Sequence, residues 1–87
     1  MKIKITYSKT SLKFLAKQDD TTVIRITTAI KALLHTPPLG DIKKLKGYEN
    51  KMRLRIGSCR VIFHYHKEKE CKILFIDSIG NRGNIYK

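Results

Sequence analysis

Residues 51–66 read KMRLRIGSCRVIFHYH, and apolar and polar side chains alternate on both sides of a short interruption. Met52, Leu54 and Ile56 share one face of an extended chain, because successive side chains of a strand point to opposite faces. The Gly-Ser pair at 57–58 breaks the alternation, as turn residues do. The segment therefore predicts two antiparallel strands joined by a tight connection.

Outward from this segment, the same alternation predicts further strands. The strand-like runs are residues 2–7, 51–56, 60–66 and 71–77. The last three are separated by short polar connections, which is typical of an antiparallel meander. Residues 39–50 are basic and rich in turn formers, and we expect them to form an irregular connection.

Two helices are predicted between the first strand and the meander. Ser8 is placed to cap a short first helix, and Asp19 to cap a second. From Val23 the apolar residues recur at helical spacing, and the prolines that follow predict an end near His35 or Thr36. The fold class predicted is α+β: a four-stranded, mainly antiparallel sheet with a helical hairpin on one face, as one domain over residues 1–87.

The composition limits the classes of function that this protein can have. The chain has 87 residues, of which 41% are hydrophobic, so it can build one core but not several domains or a deep substrate cavity. Its 19 Lys and Arg against 7 Asp and Glu give a formal net charge of +12. A surface with this potential favours a polyanionic partner.

Other patterns predict what the protein lacks. No apolar run approaches the roughly 18 to 20 residues of a membrane span, and the first residues alternate where a signal peptide is uniformly apolar, so we expect a cytoplasmic protein with no membrane partner. Cys59 and Cys71 are expected to be free thiols. Strand parity turns Cys59 away from His64, and Asp77 and Glu49 stand alone, so neither a metal site nor another cofactor is expected.

The polar side of the meander is cationic. If its apolar residues face the helices, Arg53, Arg55, Arg60 and His64 gather on the opposite face. Arginine presents a planar fork of donors that matches phosphate oxygens. The cluster therefore predicts a phosphate-binding surface, although alternating arginines also occur on the solvated face of an ordinary strand.

The sequence also resembles a known family. The order strand, two helices, Lys44-Leu45-Lys46-Gly47, then RLRIGSCRVIF over 53–63 and RGNIYK over 82–87 resembles the RelE/ParE superfamily of type II toxin-antitoxin toxins. The family's usual acidic-aromatic pair in the turn is Ser58-Cys59 here. In the RelE branch the resemblance implies a ribosome-dependent, metal-independent messenger RNA endonuclease that inhibits translation.

The resemblance also implies roles for individual residues. The catalytic residues implied are Arg53, Arg55, Arg60, Arg82 and Tyr86. Those expected to bind RNA or the ribosome are Lys43, Lys44, Lys46, Lys51 and His64. In such an enzyme the RNA 2′-hydroxyl attacks its own adjacent phosphate, which requires proton transfers. Tyr86, which lies in the matching motif, is the preferred carrier, and His64 is the alternative.

The resemblance implies partners as well. They are a cognate antitoxin, messenger RNA and ribosomal RNA, with a hetero-oligomer that binds operator DNA through the antitoxin. Two alternative functions remain: a ParE-like toxin of the same fold that poisons gyrase, and a nucleic-acid-binding module without catalysis. Arg60, Arg82 and Tyr86, at the matching positions, favour the nuclease.

Overall fold

The computed structural model describes residues 2–81 and places two helices against one face of a sheet, which confirms the predicted α+β class. The elements are β1 (Lys2–Tyr7), α1 (Lys9–Ala16), α2 (Asp20–Lys31), a 3-10 turn (Ala32–Leu34), β2 (Asp41–Lys44), β3 (Met52–Ile56), β4 (Cys59–Glu68) and β5 (Cys71–Asn81). In this part of the chain, no helix is both long and apolar enough to cross a bilayer.

The sheet is mainly antiparallel, as predicted. Its strand order is β1-β5-β4-β3-β2, and within it only β1 and β5 pair in parallel. Strands β3, β4 and β5 form the expected meander. Gly57, with φ of 57°, lies in the tight turn between β3 and β4, where a side chain would be strained.

The predicted number of four strands is wrong, because the described residues form a five-stranded sheet. The additional strand, β2, lies in the segment that we expected to be irregular. It carries a single apolar residue, Ile42, which packs against the core, so its sequence shows almost no alternation. Gly40 precedes it with φ of 132°, and a Cβ there would lie only 2.7 Å from Leu54 Cδ1. This strand forms because it pairs with β3, and no local sequence pattern specifies it.

The second helix begins at its predicted N-cap and continues at its end into a 3-10 turn. Asp19 caps it as expected, since its Oδ1 accepts a hydrogen bond from Thr22 N at 2.9 Å, and the hydrogen bonds from Thr22 lower the pKa of Asp19. The α-helix ends at Lys31, and His35 is already extended with ψ of 159°. The chain then tightens into the 3-10 turn, where His35 N donates to Ala32 O at 3.3 Å, so the helical path as a whole ends at His35, near the predicted end.

The core lies between the helices and the sheet. It combines side chains from the second helix and its extension with alternate residues of the meander, which confirms the predicted inward face. The fully buried members are Ile26, Ile30, Leu33, Leu54, Val61, Phe63, Leu74 and Ile76. The opposite face of the sheet is thereby left to the polar residues of the same strands.

Ser8 joins the first helix to the last strand. Its Oγ accepts a hydrogen bond from Ser11 N at 3.1 Å, which caps α1 as predicted, and donates to Asp77 O at 2.8 Å. Ser11 is fully buried, and its Oγ donates to Ile76 O at 3.3 Å. The start of α1 is thus fastened to the backbone of β5 at 76–77.

We expect Ser8→Ala to lower the free energy of unfolding by about 1 to 2 kcal/mol, since it removes an N-cap together with the bond to Asp77 O. Urea denaturation measures the loss. Thr28→Ala, on the exposed side of α2, is the control and should change stability by less than about 0.5 kcal/mol. Equal stability of the Ser8 variant and the parent would contradict this account of the α1 junction.

Candidate functional site

The sheet face opposite the helices carries cationic and imidazole side chains of β3, of β4 and of the residue before β3. We call it the cationic face and define it by Lys51, Arg53, Arg55, Arg60 and His64. Arg55 lies directly opposite Arg60 across β3 and β4, and the alternation places the others on the same side. The predicted gathering of Arg53, Arg55, Arg60 and His64 on one face is confirmed.

The register arranges this face in three cross-strand rows. Ile62 of β4 is buried and lies in the middle row, between one residue of β3 and one of β5. The rows are Arg55, Arg60 and Gly80; Arg53, Ile62 and Ser78; and His64 with Phe75, next to which Lys51 contacts Asp77. Arg60 and His64 therefore flank Ile62 at two residues' distance on either side, which is roughly 6.6 Å along the strand in each direction.

Arg55 and Arg60 form the most charged row. Directly opposite side chains of an antiparallel pair have Cβ atoms roughly 4.5 to 5.5 Å apart, and like charges at this distance destabilise the sheet. Arg55 is exposed, and Arg60 is half-buried and has a further interaction. A phosphate oxygen between the two guanidinium groups would relieve their repulsion and receive charge-assisted hydrogen bonds.

Arg53 differs from the other arginines, because only 7% of it is exposed. Its Nη2 donates to Asp41 Oδ1 at 3.3 Å, so the guanidinium joins β3 to the edge strand β2. Its Nε is buried and has no hydrogen-bond partner within residues 2–81. Sequence reasoning grouped Arg53 with Arg55 as an exposed ligand and missed Asp41, since an acidic residue in a presumed loop gave no sign of the pairing.

His64 has an acidic partner that the sequence did not reveal. Its Nδ1 lies 2.8 Å from Asp77 Oδ2, and Asp77 Oδ1 lies 3.7 Å from Lys51 Nζ. The imidazole also rests against Phe75, with ring centroids 5.3 Å apart. Asp77 was predicted to have no second carboxylate beside it, and its contacts with His64 and Lys51 connect β4, β5 and the residue before β3.

A β-bulge explains how Asp77 reaches His64. Ile62 pairs with Ser78 while Phe63 pairs with Ile76, so Asp77 is an extra residue in β5. An extra residue bends the strand and redirects a side chain. The carbonyl of Asp77 accepts the hydrogen bond from Ser8 Oγ described above, so the bulge is fixed from the helix side. A strict two-residue alternation could not predict this position.

The predicted binding lysines are not all brought together. Lys43 lies opposite Arg53, at the edge of the cationic face, and Lys51 contacts Asp77. Lys44 lies opposite Met52, and the register therefore places it on the other face of β2. Lys46 is exposed beyond the end of β2. Arg82 and Tyr86 lie outside the described residues, so their predicted roles stay predictions.

The cysteines lie away from these groups. Cys59 is buried, and its Sγ is 3.8 Å from Asn81 Oδ1; its predicted orientation away from His64 is confirmed. Both Cys59 and Cys71 are free thiols. Over residues 2–81, the structure contains no group of three or more His, Cys, Asp or Glu side chains that could hold a metal ion.

Solved structures share this fold over nearly its whole length. A chain of the RelB-RelE antitoxin-toxin complex from Methanococcus jannaschii is 25% identical with a TM-score of 0.71, and the match covers 93% of this chain and 94% of that one. A chain of the archaeal RelE-RelB complex from Pyrococcus horikoshii is 22% identical with a TM-score of 0.72, covering 97% and 99%. A chain of the intact E. coli RelBE complex is 19% identical with a TM-score of 0.70, covering 90% and 94%.

Sequence comparison adds nothing to this likeness, since no protein-family model and no curated protein matches the chain. The structural agreement shows that the chain has a RelE-like toxin fold, as its resemblance to the RelE/ParE superfamily implied. The likeness is one of backbone architecture. The chemistry that this fold can perform depends on the side chains of the cationic face.

Proposed function

We propose that this protein is the toxin of a type II toxin-antitoxin pair and acts in the cytoplasm as a ribosome-dependent messenger RNA endonuclease. The observation that carries the proposal is the facing pair Arg55 and Arg60 on the cationic face of a RelE-like fold. Two adjacent guanidinium groups on a rigid sheet are better suited to binding a phosphodiester than to binding the surface of another protein. The formal net charge of +12 supports a nucleic-acid substrate further.

The proposed reaction is an in-line attack of an RNA 2′-hydroxyl on the adjacent phosphate, which leaves a cyclic phosphate and a free 5′-hydroxyl. Arg55, Arg60 and Arg82 stabilise the additional negative charge of the pentavalent transition state. Arg53 supports this group from its buried position beside Ile62. Tyr86 is proposed to move a proton during the reaction, with the leaving 5′-oxygen as its partner.

The proposed physiological partner is an antitoxin with an acidic or amphipathic segment that covers the cationic face. The solved chains that share the fold come from antitoxin-toxin complexes, which supports such a partner. In a hetero-oligomer of this kind, the antitoxin would supply the contact with operator DNA. Messenger RNA and ribosomal RNA are the proposed partners of the free toxin, with Lys43, Lys46 and Lys51 placed to contact their phosphates.

Translation of a defined reporter message by purified components, followed by mapping of the 5′ ends, tests the proposal. We expect new 5′ ends within the translated region only when ribosomes are present. Inhibition of gyrase supercoiling with an intact message would instead identify a ParE-like poison. Binding of RNA without new ends would identify a non-catalytic module. Either of these results would overturn the proposed activity.

We expect cleavage to be independent of added transition metal. The in-line attack needs only proton transfer and charge stabilisation, both of which side chains supply in this proposal. The measurement adds a zinc chelator to the reporter assay while magnesium is kept at the level that holds ribosomes together. Activity that disappears with the chelator and returns only with zinc would contradict the mechanism.

A further inference from the structure

We propose that His64 and Asp77 form a proton-transfer dyad, in which His64 Nε2 takes the proton of the attacking 2′-hydroxyl and Asp77 positions the imidazole. This inference rests on the proposed ribonuclease function and assigns its general base. It gives Asp77 a role that neither the sequence pattern nor the RelE resemblance indicated. The catalytic residue of the dyad is His64, and Asp77 acts through it.

The contact between the two residues determines which nitrogen is the base. Asp77 Oδ2 lies 2.8 Å from His64 Nδ1, and an ionised carboxylate only accepts hydrogen bonds. Nδ1 therefore carries the hydrogen, and in the neutral ring the lone pair belongs to Nε2. Within residues 2–81, Nε2 forms no hydrogen bond, and the side chain is 21% exposed. The basic nitrogen is thus available on the cationic face.

The surroundings hold the imidazole in one orientation. Phe75 packs against the ring at 5.3 Å, and Asp77 is fixed by the bulge in β5. The bulge is secured by Ser8, whose Oγ and N donate to Asp77 O at 2.8 Å and to Ile76 O at 3.0 Å. A general base works best when its own geometry is fixed by such neighbours. Both residues of the dyad therefore lie in strands of the sheet and not in a loop.

The position of the dyad suits a phosphate over the centre of the face. Arg60 and His64 lie two residues to either side of Ile62 on β4, roughly 6.6 Å from it along the strand in each direction. Ile62 is 6% exposed and offers an apolar floor without competing donors. A phosphodiester placed there meets arginine on one side and the base on the other.

Charged groups lie on the same face as His64. They belong to three strands and to the residue before β3. Lys51 and Arg53 are on the β3 side, Asp77 is on β5, and Arg60 and His66 lie on β4 itself. Asp77 is the only acidic group among these five, and it contacts the ring directly.

The step balances in atoms and charge. As Nε2 takes the proton, the 2′-oxygen forms its bond to phosphorus and the bond from phosphorus to the 5′-oxygen breaks. The electron pair leaves with the 5′-oxygen, which receives a proton from Tyr86, the acid proposed above. Solvent then returns a proton from the imidazolium to the phenolate, and both side chains are restored.

The test is the single-turnover cleavage rate on programmed ribosomes between pH 5.5 and 9. The parent rate should rise with pH, because an imidazole accepts a proton only in its neutral form. We expect His64→Gln to slow cleavage by about 10²- to 10⁴-fold and to abolish that rise. Asp77→Asn should slow cleavage at least about 10-fold, because an amide favours the wrong tautomer. His66→Gln is the matched control, since His66 is exposed and pairs with Glu68 at 3.8 Å.

Nitrogen NMR of the imidazole provides a readout that needs no activity. The parent should show a protonated Nδ1 and an unprotonated Nε2 for neutral His64, and Asp77→Asn should lose this preference. A fast His64→Gln variant with an unchanged pH profile would overturn the dyad while leaving the nuclease intact. An unprotonated Nδ1 in the parent would do the same. A parent that does not cleave at all would remove the proposed function, whatever the tautomer of His64.

Discussion

We expect Arg60→Ala or Arg82→Ala to abolish growth inhibition when the protein is induced without an antitoxin. Arg60 faces Arg55 on the cationic face, and loss of one such donor from a phosphate site typically slows the chemical step by about 10²- to 10³-fold. Arg82 carries the same expectation from its place in the terminal motif. Growth curves at equal expression, together with the reporter assay, measure the effect.

Two controls separate a lost ligand from a lost fold. Circular dichroism of each variant should match the parent, since Arg60 is not a member of the hydrophobic core and Arg82 is expected to act as a phosphate ligand. Arg25→Ala removes the same charge from an exposed position on α2 and should remain toxic. Arg60→Lys keeps the charge but not the planar fork, so we expect partial activity. An Arg60→Ala protein as toxic as the parent would show that Arg60 is not a phosphate ligand.

Arg53→Ala should have a different effect, because Arg53 is part of the fold as well as of the cationic face. We expect the free energy of unfolding to fall by about 1 to 3 kcal/mol, chiefly through lost packing of the buried stem. The ion pair itself contributes little, since the Asp41 side chain is 53% exposed to solvent. Urea denaturation gives the loss, and Arg55→Ala, at an exposed position, should be nearly as stable as the parent.

Arg53→Met separates the contribution of the aliphatic part of the Arg53 side chain from the contribution of its charge. Methionine keeps an apolar chain in the buried position and removes the Nε, which has no partner within residues 2–81, so stability should stay within about 1 kcal/mol of the parent. Cleavage should still fall, because a positive charge beside Ile62 is lost. If Arg53→Met were as unstable as Arg53→Ala, the guanidinium and not the stem would hold β2 to β3.

Much of the fold follows from local patterns in the sequence. Alternation predicted the meander and its inward face, and Ser8 and Asp19 cap their helices as their side chains suggested. These elements are predictable because one or two neighbouring residues determine them. Strand β2 was missed for the opposite reason: Ile42 is its only apolar residue, and its pairing with β3 is a tertiary effect.

The candidate site was predictable in charge but not in contacts. Parity alone placed Arg55, Arg60 and His64 on one face. The partners of Arg53 and His64 could not be found in this way, because Asp41 comes from a strand that the pattern does not reveal and Asp77 from a bulge that violates the pattern. Both acidic residues are distant in sequence from the bases they contact. Only the register of the sheet brings them together.

The parallel pairing of β1 with β5 has a consequence for the order in which the molecule is assembled. Lys2 pairs with Cys71, so the first strand has no partner in the sheet until nearly the whole chain has been synthesised. At about 5 to 20 residues per second, several seconds separate the two strands during translation. Closing so long a loop is also slow in folding. The cationic face, which needs β5 for Asp77, therefore matures only after β5 has been synthesised, several seconds after β1.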